Sequence, residues 1–300
     1  MADATALPER GARSARPARR GPGWAWLGLA PFFLFSAAFL FLPVAFLAIG
    51  SFQDSAGTVT LRNYGDLSTG IIPNAFGNSI EISLVTAVGG GLFGFLLAYS
   101  VILGGLPRFL RTALMTFSGV ASNFAGVPLA LAFIFTLGQL GLVTVFLKAI
   151  GIDIYDSGFK LTTKVGLELV YMYFQFPLMV LIIAPALDGL KREWREAAEN
   201  VGASPRQYWR HVALPILMPS ILGTIILLFG NAFGAQATAF QLTGGTINIV
   251  TLVISTQIRG DVLHNPGLGY ATAMGMVAIM GISIAGYSLL QRRAERWLRT

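Results

Sequence analysis

Of the 300 residues, 54% are hydrophobic and 12% charged, and the mean hydropathy is +0.67, a balance that excludes an ordinary soluble domain. Cysteine is absent, which excludes a disulfide framework and a thiol nucleophile, and histidine occurs only at His211 and His264, which argues against a histidine-built metal centre. The net charge of +7 invites a nucleic-acid reading, but its distribution along the chain gives it another meaning.

In chain order, residues 1–22 are rich in Ala, Arg and Pro without apolar periodicity and read as a disordered basic tail. Residues 23–300 read as one all-α membrane domain with apolar spans at 24–50, 76–104, 113–137, 165–187, 220–242 and 270–290. Each is long enough to cross a hydrocarbon core of ~30 Å at ~1.5 Å per helical residue. The first is too long for a signal-peptide core, and Pro31 and Pro43 are expected to kink it. Residues 51–75 are a polar outer loop. The second span carries Gly90 and Gly94 at a GxxxG spacing that lets helix backbones approach. Small residues over 118–128 interrupt the third, and 138–164 is an outer loop containing a short helix. The fifth has a second GxxxG at Gly230 and Gly234, and after it 249–258 is expected to dip back as a short helix. No repeat of 20–50 residues and no second domain is visible.

Six spans put both termini on one face. Lys and Arg gather there, at Arg10 to Arg20, Arg108 and Arg111, Lys191 to Arg210, and Arg292 to Arg299. The other face holds Arg62, Lys148, Lys160, Lys164 and Arg259. By the positive-inside rule the first face, with both termini, is cytoplasmic.

Residues 188–219 are the long polar interruption between the fourth and fifth spans. Leu187, Leu190, Trp194, Ala197, Ala198 and Val201 recur at three- and four-residue spacing as one stripe of an amphipathic helix. Gly202 suits the left-handed residue after that helix. A second helix starts at once, with Ser204 as N-cap, Pro205 in the first turn and Gln207 at the third position of a capping box. Leu214-Pro215 is expected to limit it, and Pro219 suits the start of the fifth span.

Glu196-Ala197-Ala198, then Gly202, then Val212-Ala213-Leu214-Pro215 is a pattern that resembles the permease subunits of binding-protein-dependent ABC importers, with Val212 where Ile is commoner. Asn78-Ser79 near the start of the second span and Ala98-Tyr99 near its end are similar to that family too. The resemblance covers roughly residues 70–290 and implies a type I importer permease with six transmembrane helices and a cytoplasmic coupling helix between spans four and five. It implies a docking surface at Glu196, Ala197, Ala198 and Gly202, with Ser204, Pro205, Leu214 and Pro215 completing the motif. The partners implied are a cytoplasmic ABC ATPase dimer that binds ATP and Mg, a second permease chain (self or paralogue), and an extracytoplasmic solute-binding protein. The location implied is a bacterial cytoplasmic membrane. Arg108 to Thr112 and Tyr173-x-x-Phe176-Pro177 look closest to the polyamine, phosphonate, thiamine and iron group, which implies a small polar or cationic solute. A sugar or glycerophosphodiester importer is the near alternative.

The chain itself has no Gly-Lys pair, which excludes a P-loop, and neither His-Glu-x-x-His nor Gly-x-Ser-x-Gly, so it reads as a transport subunit without an enzymatic or cofactor site of its own. Polar groups inside apolar spans are the candidates for a solute path, because they are costly in hydrocarbon unless they meet water or a partner. These are Asn78, Glu81, Asn123, Glu168, Tyr171, Tyr173, Gln175, Asn231 and Gln236. Glu81 and Glu168 would favour a cation; the alternative is that they pair with Lys164 or Arg62. For the others the alternative is hydrogen bonding between helices. For the motif, the alternatives are a helix pair on the lipid surface and a DNA-reading helix-turn-helix. A secondary transporter working without ATP is the rival from another class; it predicts inverted repeats and midplane charges, and neither is visible.

Overall fold

The computed structural model describes residues 25–54, 56–260 and 264–298. The expected basic tail, 1–22, lies outside them. Packing divides the chain into a unit ending at Phe46 and a unit beginning at Leu47.

The first helical run is α1 (Ala25–Ser36), a π turn (Ala37–Phe41) and α2 (Leu42–Gly50). Leu42 donates its N–H to Ala37 O, five residues back, immediately before Pro43. A proline inside an α-helix lacks its N–H, and its ring presses on the carbonyl four residues earlier. The wider π turn takes up that conflict, so the helix continues through Pro43.

Among the described residues of the second unit, regular structure is helical apart from one isolated bridge, Gln53 to Val59, in the loop after α2. There follow α3 (Arg62–Asp66), α4 (Ile72–Ile102), α5 (Arg108–Ala121), α6 (Val127–Leu137), α7 (Leu142–Ala149), α8 (Lys164–Asp188), α9 (Arg192–Asn200) and α10 (Pro205–Tyr208). A second π turn (Trp209–Ala213) leads into α11 (Leu214–Gly234), α12 (Ala237–Thr243), α13 (Val250–Arg259) and α14 (Pro266–Leu298). Among the described residues six helical stretches are long and apolar enough to cross a membrane: Gly28–Gly50, Ile72–Ile102, Val127–Ala149, Lys164–Asp188, Pro205–Gly234 and Pro266–Leu289.

The core is built on α4 against α8, the most extensive helix contact in the chain. Glycine makes that approach possible. A Cβ on Gly90 would stand 2.5 Å from Gln175 Cβ, and one on Gly94 2.5 Å from Phe176 O. The second GxxxG behaves differently: Gly230 closes on Met280, whereas Gly234 has open space around it.

By hydropathy, the stretch nearest the expected third span, 113–137, is displaced to Val127–Ala149. Hydropathy runs α6 and α7 together, but the Gly138–Gly141 turn separates them. Packing instead makes α5 and α6 the crossing pair. Arg111 on α5 pairs with Asp188 at the end of α8, while Leu129 and Ala130 on α6 pack with Leu167, Val170 and Tyr171 near its start. The 118–128 interruption is real: the backbone leaves the helix after Ala121 and re-enters at Val127 through Gly126, at φ 74° and ψ −148°. That region is open only to glycine.

Four expectations about 187–242 are corrected. The amphipathic helix begins at Arg192 rather than Leu187, because Leu187 is fully buried at the end of α8 and the chain turns through Gly189 to Lys191. Leu214-Pro215 does not end the second helix, and Pro219 lies inside α11 rather than at its start. Leu214 donates to Trp209 O, five residues back, and the π turn carries the helix past Pro215 as the first carries it past Pro43. The fifth span ends at Gly234, and 237–243 is a separate helix. The short helices expected in 138–164 and at 249–258 are α7 and α13.

Candidate functional site

The joint between α9 and α10 follows from local chemistry. Gly202 sits at φ 79°, and its N–H and that of Ala203 bond back to Glu199 O and Ala198 O, closing the end of α9. Ser204 N donates to Gln207 Oε1 at 2.7 Å and Gln207 N to Ser204 Oγ at 3.3 Å, so the capping box is complete. On the outer faces Arg192 pairs with Glu196 and Arg195 with Glu199, each across one turn. Ala197 is exposed and Val201 is 84% exposed, whereas Trp194 and Ala198 are half-buried, so the apolar stripe is only partly covered by its own chain. Between α9 and the helix after it lies a cleft of about 710 Å³ whose walls include Trp194, Ala198, Gly202, Tyr208 and Val212. Tyr99, at the end of α4, meets Trp209 of the π turn edge to face at 5.0 Å.

At the other end of α11 two helix breaks meet. Gly126 N donates to Thr238 Oγ1 at 2.8 Å, and Thr238 Oγ1 donates back to Gly126 O at 3.3 Å. The break between α5 and α6 is thereby fastened to the break between α11 and α12. Beside the fastening is a cavity of about 400 Å³ lined by Ser122, Gly126, Phe174, Asn231, Gln236 and Thr238 among others. Its polar lining is hydroxyl and amide, with no charged side chain.

Residues 90–298 match the family described as "Binding-protein-dependent transport system inner membrane component". The chain belongs to this family. It is therefore a multi-pass membrane permease subunit of an ABC importer. Its relatives include the probable sulfate transport system permease protein cysT of Nephroselmis olivacea, 27% identical over 224 residues, covering 74% of this chain and 72% of that one. Another is the spermidine/putrescine transport system permease protein PotB of Haemophilus influenzae, 25% identical over 270 residues and covering 88% and 92%. In fold it is similar to a chain of a bacterial ABC transporter involved in import of the acidic polysaccharide alginate, with a TM-score of 0.71 at 18% identity, covering 90% of this chain and 95% of that one.

The remaining candidates of the permease separate by burial. Tyr171 and Gln175 are buried and bonded between helices, the alternative that the sequence left open for both. Tyr171 is 1% exposed and donates to Ala235 O at 2.6 Å, holding the end of α11; Gln175 is fully buried and donates to Leu228 O at 2.9 Å. Tyr173 is half-buried, edge to face with Phe124 and Phe133. Asn78 donates to Asn248 O, and its neighbour Ser79 accepts from Val250 N at 2.9 Å, which pins the start of α13 to α4. Asn123 is exposed and bonds back to Gly119 O. Glu81 pairs with Lys164 at 2.7 Å, one of the alternatives the sequence left open, and Glu168 is half-buried one turn along α8 from that lysine.

Asn231 and Gln236 are the two sequence candidates that open onto the polar cavity. Gly126 and Thr238 were not anticipated. Gly126-Val127-Pro128 carried the available signal, a glycine ahead of a proline in a first helical turn, but nothing local announces a partner 112 residues away.

Proposed function

We propose that this permease passes a small polar solute between the helix breaks at 122–126 and 235–236, and that the joint at Gly202 couples this movement to a separate ABC ATPase. One observation carries the reading: from Pro205 to Gly234 the chain is a single helical stretch. At ~1.5 Å per residue it spans on the order of 45 Å. The joint lies at one end, and Asn231 and Gln236 lie beside the other. A displacement of α9 therefore reaches the cavity through one continuous element.

In this reading Glu196, Ala197, Ala198 and Gly202 form the docking surface, with small side chains that let α9 enter a groove. Ser204 and Pro205 start the next helix, and Leu214 and Pro215 continue it past the π turn. ATP with Mg is bound by the partner, and its closure biases the permease between two arrangements. A second permease chain, identical or paralogous, supplies the other coupling segment. The joint and both termini lie on the cytoplasmic side of a bacterial cytoplasmic membrane. A solute-binding protein delivers from the opposite side; a similar fold occurs in the alginate transporter solved in complex with a periplasmic protein bound to an alginate pentasaccharide.

Relatives are named for sulfate, for spermidine and putrescine, and for molybdenum, which places anions and cations in one family. The cavity lining donates and accepts hydrogen bonds without charge, and the Glu81 carboxylate is matched by Lys164. That lining suits a small hydrophilic solute of either sign and leaves selection largely to the binding protein.

The test is affinity isolation from the native membrane with mass spectrometry of the associated chains. An ATPase and a permease pair are expected, and both transport and ATPase association should be lost with Glu196→Lys plus Ala198→Glu while membrane insertion persists. A chain that purifies alone and carries solute without ATP would overturn the reading.

A further inference from the structure

Helix α7 is inside out. Among its residues Thr144 is the buried one, 4% exposed, and its Oγ1 has no hydrogen-bond partner. Leu142, Val145 and Phe146 are 74%, 54% and 63% exposed, and Ile150, one turn on, is 58% exposed. These recur at three- and four-residue spacing, so they share one outward face. A short helix resting on a protein in water does the reverse and turns its apolar stripe inward.

The orientation is imposed by the chain around it. A Cβ on Gly138 would stand 2.3 Å from Ile134 O, and one on Gly141 2.5 Å from Thr136 O, so the turn out of α6 is a tight glycine turn. Tyr155 reaches back after α7 and donates its hydroxyl to Leu137 O at 2.9 Å, closing the last turn of α6. Helix α7 is therefore held at the membrane face where α6 emerges.

We propose that α7 lies along that membrane surface as an interfacial helix, with Leu142, Val145, Phe146 and Ile150 among the lipid acyl chains and Thr144 turned toward the protein. Its position favours lipid, because the crossing helix ends one glycine turn before it. Its chemistry does too. A protein–protein interface carries roughly one hydrogen bond per 100–200 Å², and this face offers only aliphatic and phenyl groups. At its edge Lys148 is 71% exposed beside Asp153 at 2.9 Å, a long side chain suited to holding its charge at headgroup level while its stem lies on the apolar face. The outer end of the broken third crossing is thus anchored in the leaflet, while its broken middle is clasped to Thr238.

The chain has no cysteine, so single cysteines at Leu142, Val145, Phe146, Ile150 and Thr144 carry a nitroxide label without background from this subunit. The importer, assembled with cysteine-free partner subunits, is placed in vesicles of phosphatidylcholine and phosphatidylglycerol, and collision rates with oxygen and with a water-soluble nickel chelate are compared. At the four outward positions oxygen collisions are expected to exceed nickel collisions severalfold, while a label at Thr144 is shielded from both. Nickel collisions equal to or above those of oxygen would place α7 in water and overturn the proposal. Shielding from both reagents at the four outward positions would overturn it in favour of a protein partner. These four sites are already exposed in the chain, so the outcome does not depend on whether Thr144→Cys folds.

Discussion

Gly126 N donates to Thr238 Oγ1 at 2.8 Å and so joins two interrupted helices whose sequences lie 112 residues apart. The donor is part-buried, and removing its acceptor leaves it unpaired at a cost of about 1–2 kcal/mol. Thr238→Val keeps the shape and deletes the oxygen. The melting temperature of the purified permease should fall and that of Thr238→Ser should stay near the parent value. Gly126→Ala should cost more than either, because φ 74° with ψ −148° is closed to a residue with a Cβ. Thermal unfolding in detergent with all three variants checks the order.

Gly94→Ala should destabilise the helix pair α4–α8 by about 1–3 kcal/mol, the usual range for overpacking. Its new methyl would meet Phe176 O at 2.5 Å and Met179 Cβ at 2.6 Å, and backbone does not move aside as a side-chain tip does. Gly119→Ala on α5 is the control. It has open space around it and should be neutral or raise stability by about 0.5–1 kcal/mol, through helix propensity alone. Equal effects of the two changes would show that the GxxxG contact contributes nothing.

What could be read in advance was what the local backbone decides. Gly202 and the Ser204 and Gln207 capping box came out as expected, since each depends on residues within one turn. The helix boundaries around them did not. Leu187 and Leu190 keep the three- and four-residue spacing of the α9 stripe, yet they close α8 and its turn, and periodicity alone does not see the break at Gly189. Pro215 marks a helix end by the ordinary rule, and only the five-residue hydrogen bond behind it reveals why the helix continues. The polar candidates were split by long-range contacts: Tyr171 and Gln175 went to backbone oxygens on and just beyond α11, Asn231 and Gln236 to a cavity.

The capping box gives a prediction of its own. Ser204→Ala removes the acceptor for Gln207 N and should lower stability by about 1 kcal/mol, while Ser204→Asp, also a good N-cap, should retain it. If the joint transmits movement from α9, Ser204→Ala should also reduce the ATPase stimulation produced by solute in the assembled importer. Loss of stability with full stimulation would confine Ser204 to a structural role.

In the loop after α2, Asp54 accepts the Thr58 hydroxyl at 2.7 Å and the Thr58 and Ala56 amides at 3.0 and 2.9 Å. The Thr58 hydroxyl, above all, holds this carboxyl below the ordinary aspartate range. A group whose value is lower folded than unfolded contributes order that is present above its unfolded value and lost as pH falls through the folded one. Hydrogen exchange of the Ala56 and Thr58 amides should therefore be faster in Asp54→Asn than in the parent at pH 7. Below about pH 4 that difference should progressively disappear, as the parent carboxyl takes up its proton. A difference that persists undiminished in strong acid would mean that the loop is ordered by something other than this carboxylate.

The last contrast separates path from packing. Asn231 and Gln236 face the same polar cavity, whereas Tyr171 is buried against Ala235 O. If solute is held by neutral hydrogen bonds as it passes, each lost bond removes about 1–1.5 kcal/mol, on the order of five- to tenfold in rate. Asn231→Ala and Gln236→Ala should slow uptake into proteoliposomes by about that factor, with ATPase association and melting temperature unchanged. Tyr171→Phe deletes only the hydroxyl that holds the end of α11, so its melting temperature should fall while uptake per folded transporter is retained. Transport rates measured with the binding protein saturated isolate the permease step. Should Tyr171→Phe slow uptake as much as the two cavity variants do, the solute step would lie with the packing of α11 on α8 rather than with the lining of the cavity.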